Sequence, residues 1–208
     1  AMMVVQVVLN HTMTHYGALS VYGSEIPLAC SGIVAKVSML FFSVVIGICQ
    51  GMQPIVSFNF GASNFKRVKE TVILACKAAA AISIVAFLCF QLFPRQIIGF
   101  FGGGSPEYFD FAERYFRIYM FSICVNFLQP ITSNFFTAVG MPKRGVFLSL
   151  TRQIIFLLPL LVVLPIFFGI EGAMFAAPIA DFAAAALAII FLRAEFKNLP
   201  NLNADEKK

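Results

Sequence analysis

Apolar and polar positions along this chain repeat at helical period, and the longest such pattern runs from Cys30 to Arg67. It begins as an apolar run carrying one charge, Lys36. Small or polar residues then recur within it. Lys36, Ser43, Gly47, Gln50, Pro54, Ser57 and Gly61 follow at steps of seven, four, three, four, three and four. At helical period these residues fall on a single stripe. Ile33, Val37, Leu40, Phe41, Val44, Val45 and Ile48 occupy the other faces. One side therefore suits lipid or neighbouring helices, and the other suits close packing or a watery cavity. A run of about 20 apolar residues spans a bilayer, so the pattern predicts a membrane-crossing helix over residues 29–60.

The rest of the chain falls into similar runs. Residues 1–16 read as the tail of a first helix with Gln6, Asn10 and Thr14 on one face, and residues 17–27 as a polar link holding Glu25. After a basic link at 64–70 comes a third helix over 72–93, ended by Pro94. Gly102-Gly103-Gly104-Ser105-Pro106 is a run of turn residues. Residues 107–117 are amphipathic and mixed in charge, and predict a helix that starts at the membrane surface and continues through the bilayer over 118–139. That helix carries a second polar stripe: Tyr119, Ser122, Asn126, Gln129, Ser133, Thr137 and Gly140, again at steps of three and four. A basic turn at 141–145, a fifth helix over 146–168, a short turn at 169–172 with Glu171, and a sixth helix over 173–192 complete the pattern. The expected fold is all-α: a polytopic membrane bundle of six transmembrane helices, the first truncated, over residues 1–197, with a polar cytoplasmic tail over 198–208. The chain opens at Ala1 inside an apolar run, with no start methionine and no signal-peptide layout, and reads as a fragment of a longer chain.

Composition fixes the class. The chain is 60% hydrophobic and 12% charged, with a mean hydropathy of +0.87, whereas soluble domains carry roughly 25% charged residues. This is the composition of an integral membrane protein, with lipid as its surroundings. The net charge of +5 is gathered at the ends of apolar runs, so it marks topology and not a nucleic-acid partner. Lys66, Arg67 and Lys69 mark one side; Lys143 and Arg144, then Arg193 and Lys197, mark it again after every second crossing. The links with Glu25 and Glu171 lack lysine and arginine, and the third link on their side is mixed. The positive-inside rule then predicts a multi-pass protein of the inner membrane with its C-terminus in the cytoplasm. The five cysteines lie in or beside apolar runs without metal-ligand spacing and read as reduced packing residues.

The polar residues within the spans carry the candidate chemistry. There is no Gly-rich phosphate loop, no HExxH and no nucleophile with a base, so an enzyme is not expected. His11 and His15 stand at i, i+4 but lack a third ligand, and no metal site is expected. Gly47-x-x-x-Gly51 predicts a close helix contact, and Pro54, Pro130 and Pro159 are candidate kinks. Lys36, Arg152 and Asp181 lie inside predicted spans, where charge faces a bundle interior or a water-filled cavity. They either line that cavity or form a structural ion pair, and Arg152 is also long enough to snorkel. Counting about 1.5 Å per residue, Asp181 and Lys36 lie at similar depths, roughly 12 and 10 Å from the outer ends of their helices, with Arg152 on the adjoining helix as the alternative partner. Two polar stripes on separate helices point to a shared solvated cavity lined by Lys36, Ser43, Gln50, Asn126, Gln129 and Ser133.

Three stretches carry a family resemblance. GIVAKVSMLFFSVVIGICQGMQPIVSFNFGA at Gly32 to Ala62 resembles the eighth helix and following link of the MATE family, the multidrug and toxic compound extrusion transporters, in its MepA-like branch. LSLTRQIIFLLPLLVVLPIFFGIEG at Leu148 to Gly172 is similar to the eleventh helix, and APIAD at Ala177 to Asp181 to the twelfth. The resemblance implies the C-terminal lobe of a two-lobe transporter, starting within the seventh family helix, with the N-terminal lobe of the same full-length chain as its partner. It further implies an antiporter that expels organic-cation drugs by alternating access, driven by H⁺ or Na⁺, with no other cofactor. The NorM-like branch has coupling acids in its seventh and tenth helices, whereas residues 1–16 and 118–139 hold none, so an ion site of that kind is not expected in this lobe. Three alternatives stand beside this reading. A lipid-linked sugar flippase lobe would call for several cavity arginines to hold pyrophosphate, an intramembrane enzyme lacks its residues, and a membrane scaffold leaves the two stripes without a use.

Overall fold

The computed structural model describes residues 2–199, and all its regular elements there are helices. Helix α1 (Met2–Ala18) leads through a turn to the long α2 (Glu25–Gly61), then to α3 (Phe65–Leu92), α4 (Pro94–Phe101) and α5 (Pro106–Tyr119). A 3₁₀ turn (Met120–Cys124) separates α5 from α6 (Leu128–Ala138). Helix α7 (Pro142–Leu150) continues through a π-helical turn (Thr151–Leu157) into α8 (Leu158–Asn198). The expected polar tail is seen only at Asn198 and Leu199; residues 200–208 lie outside the described residues.

Several boundaries differ from the sequence pattern for local reasons. Helix α3 starts at Phe65, not near 72, because the Asn64 side chain accepts the Arg67 N–H at 3.3 Å and caps the first turn. Pro94 ends α3 as expected but also opens α4, since a first-turn proline loses no hydrogen bond. The predicted continuous fourth helix is broken between α5 and α6. Pro130 sits in the first turn of α6, where its missing N–H is tolerated, and marks the restart of the helix after residues 125–127. Pro159 stands likewise in the first turn of α8, just after the π turn. Pro54, by contrast, lies within α2 without interrupting it.

The last two crossings form a hairpin within α8. Gly169 has φ 57° and ψ −140°, a left-handed conformation that favours glycine, and the chain reverses there. Three residues on, a Cβ on Gly172 would stand 2.3 Å from the Leu164 carbonyl oxygen, so the two arms meet backbone to side-chain-less backbone. The arm after Gly169 is buried through small residues, including Ala173, Ala177, Ala180 and Ala184, and this is how membrane helices reach close packing when lipid is as apolar as they are.

Among the described residues three stretches are long and apolar enough to cross a membrane: Glu25–Gly61, Phe65–Leu92 and Pro142–Asn198, the last containing the reversal. Large apolar side chains stand on their outer surface, with Phe58 77% and Met39 73% exposed on α2. The basic links collect at one end of the bundle. There the Ser57 hydroxyl donates to the Ala138 carbonyl at 2.9 Å, and Arg144 pairs with buried Glu195. The opposite end joins Arg114 to Glu171 at 2.9 Å and stacks Tyr22 on Phe111.

Candidate functional site

Asp181 is the centre of the bundle's polar interior. It lies on the second arm of α8, among alanines that bring neighbouring helices close, and is 3% exposed. Its Oδ1 accepts from Arg152 Nε at 2.7 Å and Nη2 at 2.6 Å. Its Oδ2 accepts from the Ser122 hydroxyl at 2.8 Å and from Asn126 Nδ2 at 3.0 Å. The three donors come from the two irregular stretches of the fold, the 3₁₀ break and the π turn. The carboxylate thus holds in place the backbone where the ladders of α6 and α8 are interrupted. Of the two cationic partners considered from sequence, Arg152 makes the pair. Lys36 is exposed on α2.

Beside the pair lies a pocket of about 290 Å³ between α2, α6 and the π turn. Phe42 and Ile46 form its α2 wall, Gln129, Pro130, Ser133 and Asn134 its α6 wall, and Ser149, Arg152 and Gln153 the third. Its polar lining is ordered. Gln129 Nε2 donates to Ser149 Oγ at 3.0 Å, Ser149 and Ser133 hydroxyls meet at 3.1 Å, and the Ser133 hydroxyl donates to the Gly145 carbonyl at 2.7 Å. Gly145 permits this approach, since a Cβ there would lie 2.6 Å from the Ser133 carbonyl oxygen. The Arg152 guanidinium carbon stands 5.9 Å from the centre of the Phe42 ring, a cation–π contact.

The structure divides the expected cavity residues into three groups. Lys36, Ser43 and Gln50 share one exposed face of α2, opposite the buried seam of Ile33, Val37, Phe41, Val45 and Cys49. Gln129 and Ser133 line the pocket, but their partners from α2 are Phe42 and Ile46, not the polar stripe. Asn126 is buried and turned to Asp181, away from the pocket. Among the described residues nothing lies within 4 Å of where a Cβ on Gly47 or Gly51 would stand, so the close contact expected of them is not made there. Ser122 and Phe42 were not singled out as site residues. Ser122 had its place on the second stripe as a signal; Phe42 is one of many apolar residues in its run and had none. His11 and His15 stack with ring centres 6.3 Å apart beside a second, mainly apolar pocket of about 490 Å³ against the first arm of α8. Among the described residues no three His, Cys, Asp or Glu side chains gather as metal ligands.

The family model described as MatE matches residues 1–163. The multidrug export protein MepA of Staphylococcus aureus (strain bovine RF122 / ET3-1) is 22% identical over 187 residues, covering 89% of this chain and 39% of that protein. The protein of the same name from Staphylococcus haemolyticus (strain JCSC1435) is 23% identical, over 84% of this chain and 38% of its own length. The chain thus spans about two fifths of the curated relatives it matches. Among solved structures, an outward-facing multidrug resistance MATE family transporter superposes with a TM-score of 0.86 at 17% identity, covering 95% of this chain and 43% of that one. The bent form of the Vibrio cholerae MATE transporter VcmN gives 0.76 at 17% identity, over 84% and 40%.

Proposed function

The chain belongs to the MATE family, and from that premise we propose that it forms the C-terminal lobe of a multidrug efflux antiporter. In this reading it works with an N-terminal lobe of the same full-length chain, exchanges organic-cation drugs for H⁺ or Na⁺, and alternates access by rocking of one lobe against the other. The observation that carries it is the two-sidedness of α2. One face is a buried apolar seam, while Lys36, Ser43, Gly47 and Gln50 share a face that is exposed among the described residues. A polar stripe of this length is costly against lipid and is matched by a solvated cavity shared with a second lobe. The links that carry Lys66, Lys143 and Arg193 then face the cytoplasm of a cell whose inner membrane holds the protein. The flippase alternative gains little support, because the pocket beside Asp181 is lined by one arginine, Arg152, where pyrophosphate calls for several.

Substitutions in the full-length transporter test the reading. Lys36→Leu and Gln50→Leu are expected to alter the drug-resistance profile by several-fold at unchanged expression. Val44→Leu, on the exposed apolar flank, is expected to leave it as it was. Indistinguishable profiles for the two classes would reduce the stripe to a packing feature.

A further inference from the structure

The pocket between α2, α6 and the π turn has one charged side chain in its lining, Arg152, and no carboxylate. Asp181 lies behind the guanidinium, and its acceptor capacity is turned inward to Arg152, Ser122 and Asn126. A guanidinium carries five N–H donors. The Nε–H and one on Nη2 are used on Asp181 Oδ1, which leaves three for a ligand. Phe42, under the same guanidinium, provides an aromatic wall. The hydrogen-bond chain from Gln129 through Ser149 and Ser133 ends on the Gly145 carbonyl. It spends the Ser133 proton on the protein and leaves the Gln129 carbonyl oxygen as a fixed acceptor. The pocket therefore offers guanidinium N–H donors, an aromatic face and neutral hydrogen-bonding groups, a set suited to a ligand that accepts hydrogen bonds from the guanidinium.

We propose that this pocket binds the carboxylate end of an aromatic molecule, with Arg152 as the residue that sets its specificity. The inference rests on the efflux reading and narrows its organic cations to those that also carry an aromatic carboxylate, the end that seats here. The volume of about 290 Å³ lies at the small end of ligand pockets, about 300–1,000 Å³, and matches a one- or two-ring molecule. Pairing with Asp181 removes the formal charge of the site, so the ligand is held by directed hydrogen bonds and a ring contact. A fully unpaired arginine would hold an anion too tightly for release to the other side.

Equilibrium binding of three labelled probes to the whole chain in lipid nanodiscs tests this: 2-naphthoate, 2-naphthamide and the ammonium form of 2-naphthylmethylamine. The expected order is naphthoate first and the ammonium last, separated by about tenfold in Kd. The double variant R152Q/D181N keeps the buried pair neutral and hydrogen-bonded, and is expected to lose the preference for naphthoate over naphthamide. Phe42→Leu, which keeps the charge pattern, is expected to weaken all three probes together. An ammonium probe that binds as well as naphthoate, no saturable binding of any probe, or a preference that survives in R152Q/D181N overturns the proposal. If the double variant fails to fold, the probe order on the unsubstituted chain decides alone. Drug efflux by the full-length transporter is read separately. Its persistence alongside a failed probe order sinks this site and leaves the efflux reading standing, whereas its absence sinks the efflux reading.

Discussion

At the scale of single residues, charge burial decides what a side chain does. Asp181 and Arg152 are each costly inside a bundle, and they are tolerated because each completes the other's hydrogen bonds. Removing one partner of a buried pair costs about 3–5 kcal/mol, since the other is left uncompensated. Asp181→Asn is therefore expected to lower folded yield and shift thermal unfolding downward, as read by size-exclusion profile after heating. Protein that does fold is expected to retain ion-coupled transport in the full-length context. Normal yield with coupling abolished would make Asp181 the ion carrier instead. The sequence made this residue conspicuous, because an acid inside an apolar run has few inexpensive explanations. Choosing between Lys36 and Arg152 as its partner needed the fold. Depth along a helix axis says nothing of which face turns inward, and Lys36, at a depth similar to that of Asp181, faces out.

At the scale of elements, hydropathy predicted helices well and their interruptions poorly. The run lengths placed α2 within a few residues and found α3 and the α8 hairpin, though α3 starts seven residues before its apolar run, since a stretch that must satisfy its backbone inside lipid has few options other than a helix. The break at 120–127 and the π turn at 151–157 were hidden, because both lie within spans read as continuous helices and hydropathy does not register hydrogen-bond register. The signal is present in Pro130 and Pro159: a proline in an apolar run fits a kink within a helix as well as a join between two, and the structure has each at a join. The candidate site is built on these two joins, so it was legible as a set of polar residues and not as a place. Glycine contacts at the turns give the sharpest test of this geometry. Gly172→Ala places a methyl 2.3 Å from the Leu164 carbonyl oxygen, a backbone atom with no room to swing aside. Such overpacking costs typically about 1–3 kcal/mol. The variant is expected to unfold at lower temperature than the parent, while Gly47→Ala, which meets nothing within 4 Å, is expected to match the parent. Equal stability of both variants would mean that the hairpin does not close as described.

At the scale of the whole molecule, the bundle is two-ended and one-sided. Its ends separate by charge: Ser57 meets Ala138 and Arg144 meets Glu195 at the end with the basic links, and Arg114 meets Glu171 at the other. Single cysteines at Ser63→Cys and Lys143→Cys are therefore expected to react with an impermeant thiol reagent only from the cytoplasmic side, and Glu107→Cys only from outside. Labelling of either of the first two from outside would invert the topology. The one-sidedness bears on function. Lys36, Ser43 and Gln50 face outward from α2 and are exposed among the described residues, and the chain spans 39% of the Staphylococcus aureus relative it matches. Alternating access needs a second body to close against the first, and one wall cannot seal a cavity from both sides of a membrane in turn. Reconstituted by itself in liposomes under an imposed H⁺ or Na⁺ gradient, this chain is therefore expected to move no drug above the rate of protein-free vesicles. Joined to an N-terminal lobe of the same family, it is expected to restore gradient-driven movement that Lys36→Leu or Gln50→Leu then alters. Robust coupled efflux by the isolated chain would mean that its exposed stripe closes against a second copy of itself, and the two-lobe reading would give way to a homodimer.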